Sequence, residues 1–257
     1  MNDSLDLDAI SVTSSPFGVT KSGEEVTYFE LKNRNGVTVG VINYGLAITK
    51  ILVPDKNGML GDVVLGHDTI KGYEDENDYF GCIVGRFGNR IGEGKFQLNG
   101  QVHEIGKNNN GHSLHGGFEG FDKKVWKAEI LEHADESGVI FSYRSEDGEE
   151  GYPGNMDAKV IYTLNELNEI KLYYEAVTDK KTVVNLTNHA YFNLRDAGVT
   201  DILDHELEIR ASRFTPVNDE MITTGEIFSL ENSPLDFRQA TKIGTRLMED
   251  ETQLKNG

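Results

Sequence analysis

The chain has 257 residues, 37% of them hydrophobic, and its 43 acidic and 25 basic residues leave a formal net charge of −18. That length suits one large domain or two ordinary ones, and that charge repels nucleic acid and anionic membrane, so neither is an expected partner. The single cysteine, Cys82, rules out an internal disulfide or a CxxC site and reads as a small buried apolar residue.

Residues 1–20 are a polar N-terminal segment expected to be partly disordered, and they lack the basic and apolar regions of a secretory signal. No apolar run reaches the ~20 residues of a membrane span, so the expected location is the cytoplasm. Thereafter the chain reads as strands. VTYFELKN and VTVGVIN flank a turn at 33–36, AITKILV and DVVLG flank PDKNG, and KFQLNGQVHEI turns at the Asn-Gly of 99–100. VWKAEILEH, GVIFSYRS, AKVIYTLN, EIKLYYEAVT, TVVNLTNHAYFNL and HELEIRAS continue the pattern. Their alternation, at a spacing of about 8–12 residues, predicts one all-β domain, a large antiparallel β-sandwich. Only RQATKIGTRLMEDETQL, 238–254, reads as an amphipathic helix, and Gly244 weakens it. Two acidic runs, GYEDEND and SEDGEEG, read as exposed loops that repel one another.

NNNGHSLHGG, 108–117, puts His112 and His115 three residues apart. His-x-x-His can hold a metal on one helix face, but Gly111, Gly116 and Gly117 oppose a helix there. A third ligand from His103, His133 or His189 would make a cupin-like metal barrel, which spacing alone leaves open. The P-loop, the dinucleotide fingerprint and HExxH are absent, and GHSLH has His115 where a nucleophile elbow needs its second glycine.

Six segments in order resemble the aldose 1-epimerase (galactose mutarotase) family. They are GRFGNRIGEGKFQLNG (85–100), SLHGGFEGFDKKVW (113–126), GYPGN (151–155), NLTNHAYFNL (185–194), FTPVNDEMITTGEI (214–227) and SPLDFR (233–238). The resemblance implies a β-sandwich domain over 21–257, with a sugar bound in a cleft on its concave side. It also implies interconversion of the α and β anomers of free hexoses, galactose and glucose, with no cofactor and no metal. The expected partner is a small-molecule aldose, and the expected state a monomer or weak homodimer.

By motif, the resemblance makes His115 and His189 the catalytic imidazole pair and makes Asn89, Arg90 and Tyr191 further substrate contacts. Histidine, with an ordinary pKa near ~6.5, suits a reaction that moves two protons at neutral pH. Charged His189 would donate to the ring oxygen, while His115 would hold a hydroxyl or help position that oxygen. Arg90 would fix adjacent hydroxyls with its fork of donors. Read from the residues alone, His189 could equally be a satisfied core histidine within a strand, and His115 a turn residue. His112 gains no role and reads as loop. The glycines after His115 read as letting the loop approach a sugar.

The resemblance further implies a sugar-binding aspartate and a general-base glutamate after LKNG, and this sequence stops at Gly257. Neither is assigned here, so the expectation is an inactive fragment or isoform of a longer mutarotase, lacking the last strands of its sandwich. Two alternatives stand beside it: a non-catalytic carbohydrate-binding protein, and a hexose-6-phosphate 1-epimerase with Arg86 and Arg213 as candidate phosphate contacts.

Overall fold

Turn chemistry sets up the first sheet. The Asn33 side-chain oxygen accepts from Val37 N–H at 3.0 Å, and Asp55 accepts from Asn57 and Met59 N–H, each at 2.8 Å. Gly36 and Gly58 close the two turns with φ of +83°, a conformation that glycine adopts without strain. In the computed structural model, which describes residues 10–76, 78–132, 136–247 and 253, these turns close two hairpins of a sheet of five antiparallel strands in sequence order. They are β1 (Ser11–Val19), β2 (Glu25–Lys32), β3 (Thr38–Ile42), β4 (Ile48–Pro54) and β5 (Leu60–Asp62). A short helix α1 (Ile70–Asp75) follows, then β6 (Ile83–Val84), β7 (Arg90–Ile91), the hairpin β8 (Lys95–Leu98) with β9 (Gln101–Glu104), and β10 (Ser113–Leu114).

The second large sheet is an antiparallel meander of β11 (Lys127–Leu131), β12 (Glu136–Ser145), β13 (Met156–Asn165) and β14 (Ile170–Thr178). The two sheets share one core, as the alternating pattern requires. Phe29, Leu31, Val39, Val41 and Ile51 from the first meet Val139, Phe141, Val160, Tyr162 and Leu164 from the second. Phe29 and Phe141 pack edge to face at 5.7 Å, and the Tyr162 hydroxyl crosses the layer to donate to Leu46 O at 2.8 Å. Cys82 lies in a smaller satellite cluster with Val26, Ile42 and Val84, the buried apolar role expected of it.

Elsewhere the structure departs from the expectations. Residues 11–19, placed in the partly disordered leader, form β1. They pair along all of β2, with a bulge between Pro16 and Gly18, and Phe17 stacks on Tyr28 at 6.3 Å. Residues 1–9 lie outside the described ones. TVVNLTNHAYFNL is not one strand: only β15 (Thr187–Asn188) pairs regularly. Asn188 and Asn193 turn the chain by accepting from the backbone N–H two residues on, at 2.9 and 3.0 Å, which breaks the alternation. HELEIRAS keeps only β16 (Glu206–Leu207), followed by β17 (Arg213–Phe214), β18 (Phe228–Ser229) and β19 (Thr241–Lys242). Within 238–254 the described helix is α2 (Ile243–Leu247), directly after β19; residues 248–252 and 254 are outside the described ones.

The acidic run 145–151 is no repelling loop. Glu149 accepts from the Tyr143 hydroxyl at 2.6 Å and from the Ser145 hydroxyl, and Glu150 accepts from Phe118 and Glu119 N–H at 2.9 and 3.1 Å. No helix among the described residues is long and apolar enough to cross a membrane. Because Phe141 is fully buried at the contact between sheets, Phe141→Ala should cost about 3–5 kcal/mol in a urea unfolding experiment.

Candidate active site

One extended segment, 81–91, organises the site. Its early part, β6, pairs antiparallel with β15, and its end, β7, pairs antiparallel with β10. Each short ladder runs one pair further. His189 N–H donates to Cys82 O at 2.8 Å and Gly81 N–H returns to His189 O at 3.1 Å. On the other ladder, His115 N–H donates to Asn89 O at 3.1 Å. The two histidines thereby meet, with ring centroids 5.0 Å apart and planes at 84°.

The protonation pattern of His115 follows from its backbone neighbour. Asn89 N–H donates to His115 Nδ1 at 2.9 Å, so that nitrogen is an acceptor and the ring proton resides on Nε2. Burial first, then the proximity of His189 and Arg90, push the His115 pKa down from 6.5 to about 4. His115 is therefore a neutral imidazole at physiological pH, presenting an Nε2 donor. Both Asn89 and His115 take left-handed backbone conformations, with φ of 62° and 53°.

The remaining expected residues assemble around this pair. Half-buried Arg90 donates from Nε to Asn109 Oδ1 at 3.1 Å. Tyr191 lies 5.0 Å from the His189 ring and is 43% exposed. Two contributors were missed from sequence. Tyr79 touches both imidazoles, at 4.7 Å from His115 and 5.7 Å from His189. Asn108 staples the loop around His115, accepting from Leu114 N–H at 2.7 Å and donating to Leu114 O and Gly117 O at 3.0 and 2.8 Å. The asparagine run was the available signal, since asparagine side chains satisfy irregular backbone.

Several readings change. His189 is not within a regular strand but immediately after β15, beside a turn. His112 is a structural residue, 5% exposed, whose Nδ1 accepts from Glu93 N–H at 2.9 Å and whose Nε2 lies 3.7 Å from Glu220. With their Nδ1 atoms committed to different amides, His112 and His115 form no chelate through those atoms, and the described residues contain no metal-competent group of three or more His, Cys, Asp or Glu. The glycines after His115 allow close approach to the protein itself. A Cβ on Gly116 would lie 1.7 Å from Gly85 O, and one on Gly117 would lie 2.1 Å from the Glu150 carboxylate.

Arg86 is 2% exposed, and all five of its guanidinium donors are used. Nε donates to Ser145 Oγ, Nη1 to Pro153 O and Gly154 O, and Nη2 to Ser145 O and Glu146 O, at 2.8–3.2 Å. It has no donor left for a phosphate, and Arg213 lies exposed on β17. The phosphate alternative thus loses its principal residue.

Fold and site together define a β-sandwich protein with a paired-imidazole polar site at the meeting of two short ladders. The aldose 1-epimerase family model matches residues 27–256. Galactose mutarotase from Bos taurus is 43% identical over 241 residues, covering 93% of this chain and 69% of that protein. The crystal structure of galactose 1-epimerase from Lactobacillus acidophilus superposes with a TM-score of 0.87 at 26% identity, over 96% of this chain and 71% of that one. An aldose epimerase homologue from C. elegans gives a TM-score of 0.77 at 35% identity, over 84% and 65% of the respective chains. The chain belongs to the aldose 1-epimerase family.

Two measurements test this geometry. In an NMR titration the His115 imidazole should stay neutral until about pH 4, well below the ordinary 6.5. Since the unfolded chain then takes up this proton first, stability should fall as pH drops from 6.5 toward 4, and His115→Gln should flatten that slope. Arg86→Leu should destabilise the fold by at least about 3 kcal/mol, because it strands buried carbonyl groups without donors.

Proposed function

We propose that this chain interconverts the α and β anomers of a free aldose, galactose or glucose, by acid/base ring opening and closure at His115 and His189. The observation that carries the reading is the 5.0 Å imidazole pair in which one member is held neutral beside Arg90. Opening a hemiacetal breaks the bond between the anomeric carbon and the ring oxygen. The anomeric hydroxyl loses its proton as the carbonyl forms, and the ring oxygen gains one. The open aldehyde then rotates about one bond and closes on its other face.

The two imidazoles divide this work by environment. His115, fixed as a neutral donor, offers its Nε2 proton as a hydrogen bond to a sugar oxygen without changing state. His189 is then the acid, delivering a proton to the ring oxygen in its charged form. Two charged imidazoles at this separation would oppose one another, so only one of them serves as the cation. Asn89, Arg90 and Tyr191 orient the hydroxyls, which is worth as much as the proton transfer when it fixes the reacting geometry. The anomeric proton passes to solvent water, and on closure the ring oxygen returns its proton to His189 while water reprotonates the anomeric oxygen. The reading needs no cofactor, nucleic acid or membrane, and its setting is the cytoplasm, as a monomer or weak homodimer.

The test is the approach of freshly dissolved α-galactose to its equilibrium optical rotation. The protein should accelerate it, and His189→Gln should slow the catalysed rate by about 10² to 10⁴ while galactose binding changes little. Galactose binding without acceleration would turn the reading toward a carbohydrate-binding protein. Neither binding nor acceleration would end it.

A further inference from the structure

We infer that His67 and Asp78 are a positioning pair for the sugar site, setting Tyr191 and His189 through the intervening rings of Phe80 and Tyr79. The inference rests on the epimerase reading for its kinetic consequence, but its geometry stands apart from it. Neither residue lies in the six motif segments from which the site residues were read.

His67 precedes α1 and is held from three directions. Its Nε2 donates to Asp78 Oδ2 at 3.0 Å, both side chains being largely shielded at 23% and 30% exposure. Its backbone N–H donates to the Tyr73 hydroxyl at 3.1 Å, and its ring meets the Tyr73 ring edge-on at 5.0 Å. Gly72 supplies the space, since a Cβ there would lie 2.7 Å from His67 Cβ. The imidazole also stacks on Phe80 at 5.3 Å with planes 26° apart.

From Phe80 the contacts run directly to the site. Phe80 meets Tyr191 edge-on at 5.5 Å, and Tyr191 lies 5.0 Å from His189. Asp78 acts on the same place through the chain. The next residue, Tyr79, is left-handed with φ of 58° and contacts both imidazoles. Fixing the Asp78 carboxylate therefore fixes where the following two rings point. A pocket of about 20 Å³ is lined by His67, Tyr73, Asp78, Tyr79 and Phe80 among others. That is room for about one water, so packing alone does not wedge residues 78–80 in place. The polar tie between His67 and Asp78 supplies the constraint. Tyr191 needs it because 43% of its surface is exposed.

The test compares the native chain with His67→Ala, His67→Gln, Asp78→Asn, Tyr191→Ala and the double variant His67→Ala/Tyr191→Ala. Polarimetry over a range of galactose concentrations is paired with thermal melts. Loss of the positioned ring should lower kcat/KM about three- to tenfold in His67→Ala and Asp78→Asn. His67→Gln keeps a hydrogen-bond donor but no ring and should recover part of that loss. On the Tyr191→Ala background, His67→Ala should add little, because the two act as one unit. Unchanged kcat/KM in the folded single variants, or an equal further loss on the Tyr191→Ala background, would overturn the proposal. Should the native chain show no turnover, the epimerase reading is what fails. The positioning claim is then read from the His189 imidazole NMR resonances, which must move in Asp78→Asn and His67→Gln; unmoved resonances would overturn it.

Discussion

The site depends on a guanidinium that has no donor free for a ligand. Arg86 lies midway along the segment that carries Cys82 at one end and Asn89 at the other, and it is almost wholly buried. Its five donors all go to the turn between β12 and β13. Burial draws its pKa down, while the nearby carboxylates of Glu149 and Asp147 favour its charge. The same turn supplies Glu150, whose carboxylate accepts from the loop that follows His115. One buried cation and one carboxylate thus tie the site segment and its histidine loop to the second sheet. Removing a buried charge from such a network costs more than a surface pair ever contributes.

Left-handed backbone also occurs around the two imidazoles. Tyr79, Asn89 and His115 all hold left-handed backbone conformations, which cost a non-glycine residue on the order of 1–3 kcal/mol each. Hydrogen bonds from Asn108, and the reciprocal pair between Asn89 and His115, keep these conformations occupied. The result is a set of donors oriented before any sugar arrives. The tautomer of His115 has the same origin, because the amide that fixes it also fixes the ring, while burial keeps the imidazole neutral.

How much of this could be read in advance depends on the distance over which each residue acts. The hairpins around 33–36, 54–58 and 99–100 were legible because their turn residues act locally, and β11 to β14 because one buried face imposes alternation. TVVNLTNHAYFNL was misread for the same reason: its β-branched run looks like a strand, while Asn188 and Asn193 redirect the chain with their own side chains. The polar β1 was missed because its partner, not its composition, orders it. His115 and His189 came from motif resemblance, since their real relation is a contact between distant segments and not the spacing of His112 from His115. Arg86 looked like a candidate phosphate-binding arginine because sequence does not reveal which carbonyls surround a guanidinium. Tyr79, Asn108 and His67 act only through tertiary contacts and gave no comparable signal.

The two ladders also set a rule for which chain-length changes the protein can absorb. His189 is the register mate of Cys82, and His115 the register mate of Asn89, so residues 83–88 act as a ruler between two imidazoles. Adding or removing one residue there would shift one ladder against the other and reverse which way its side chains face. Both histidines would survive in such a variant, yet the pair would no longer exist, and Ile83 would leave its place in the core. Insertions in the solvated 55–58 or 99–100 turns would leave the ruler intact. Natural length variation in this fold should therefore collect in those turns and avoid the six positions between the two mates.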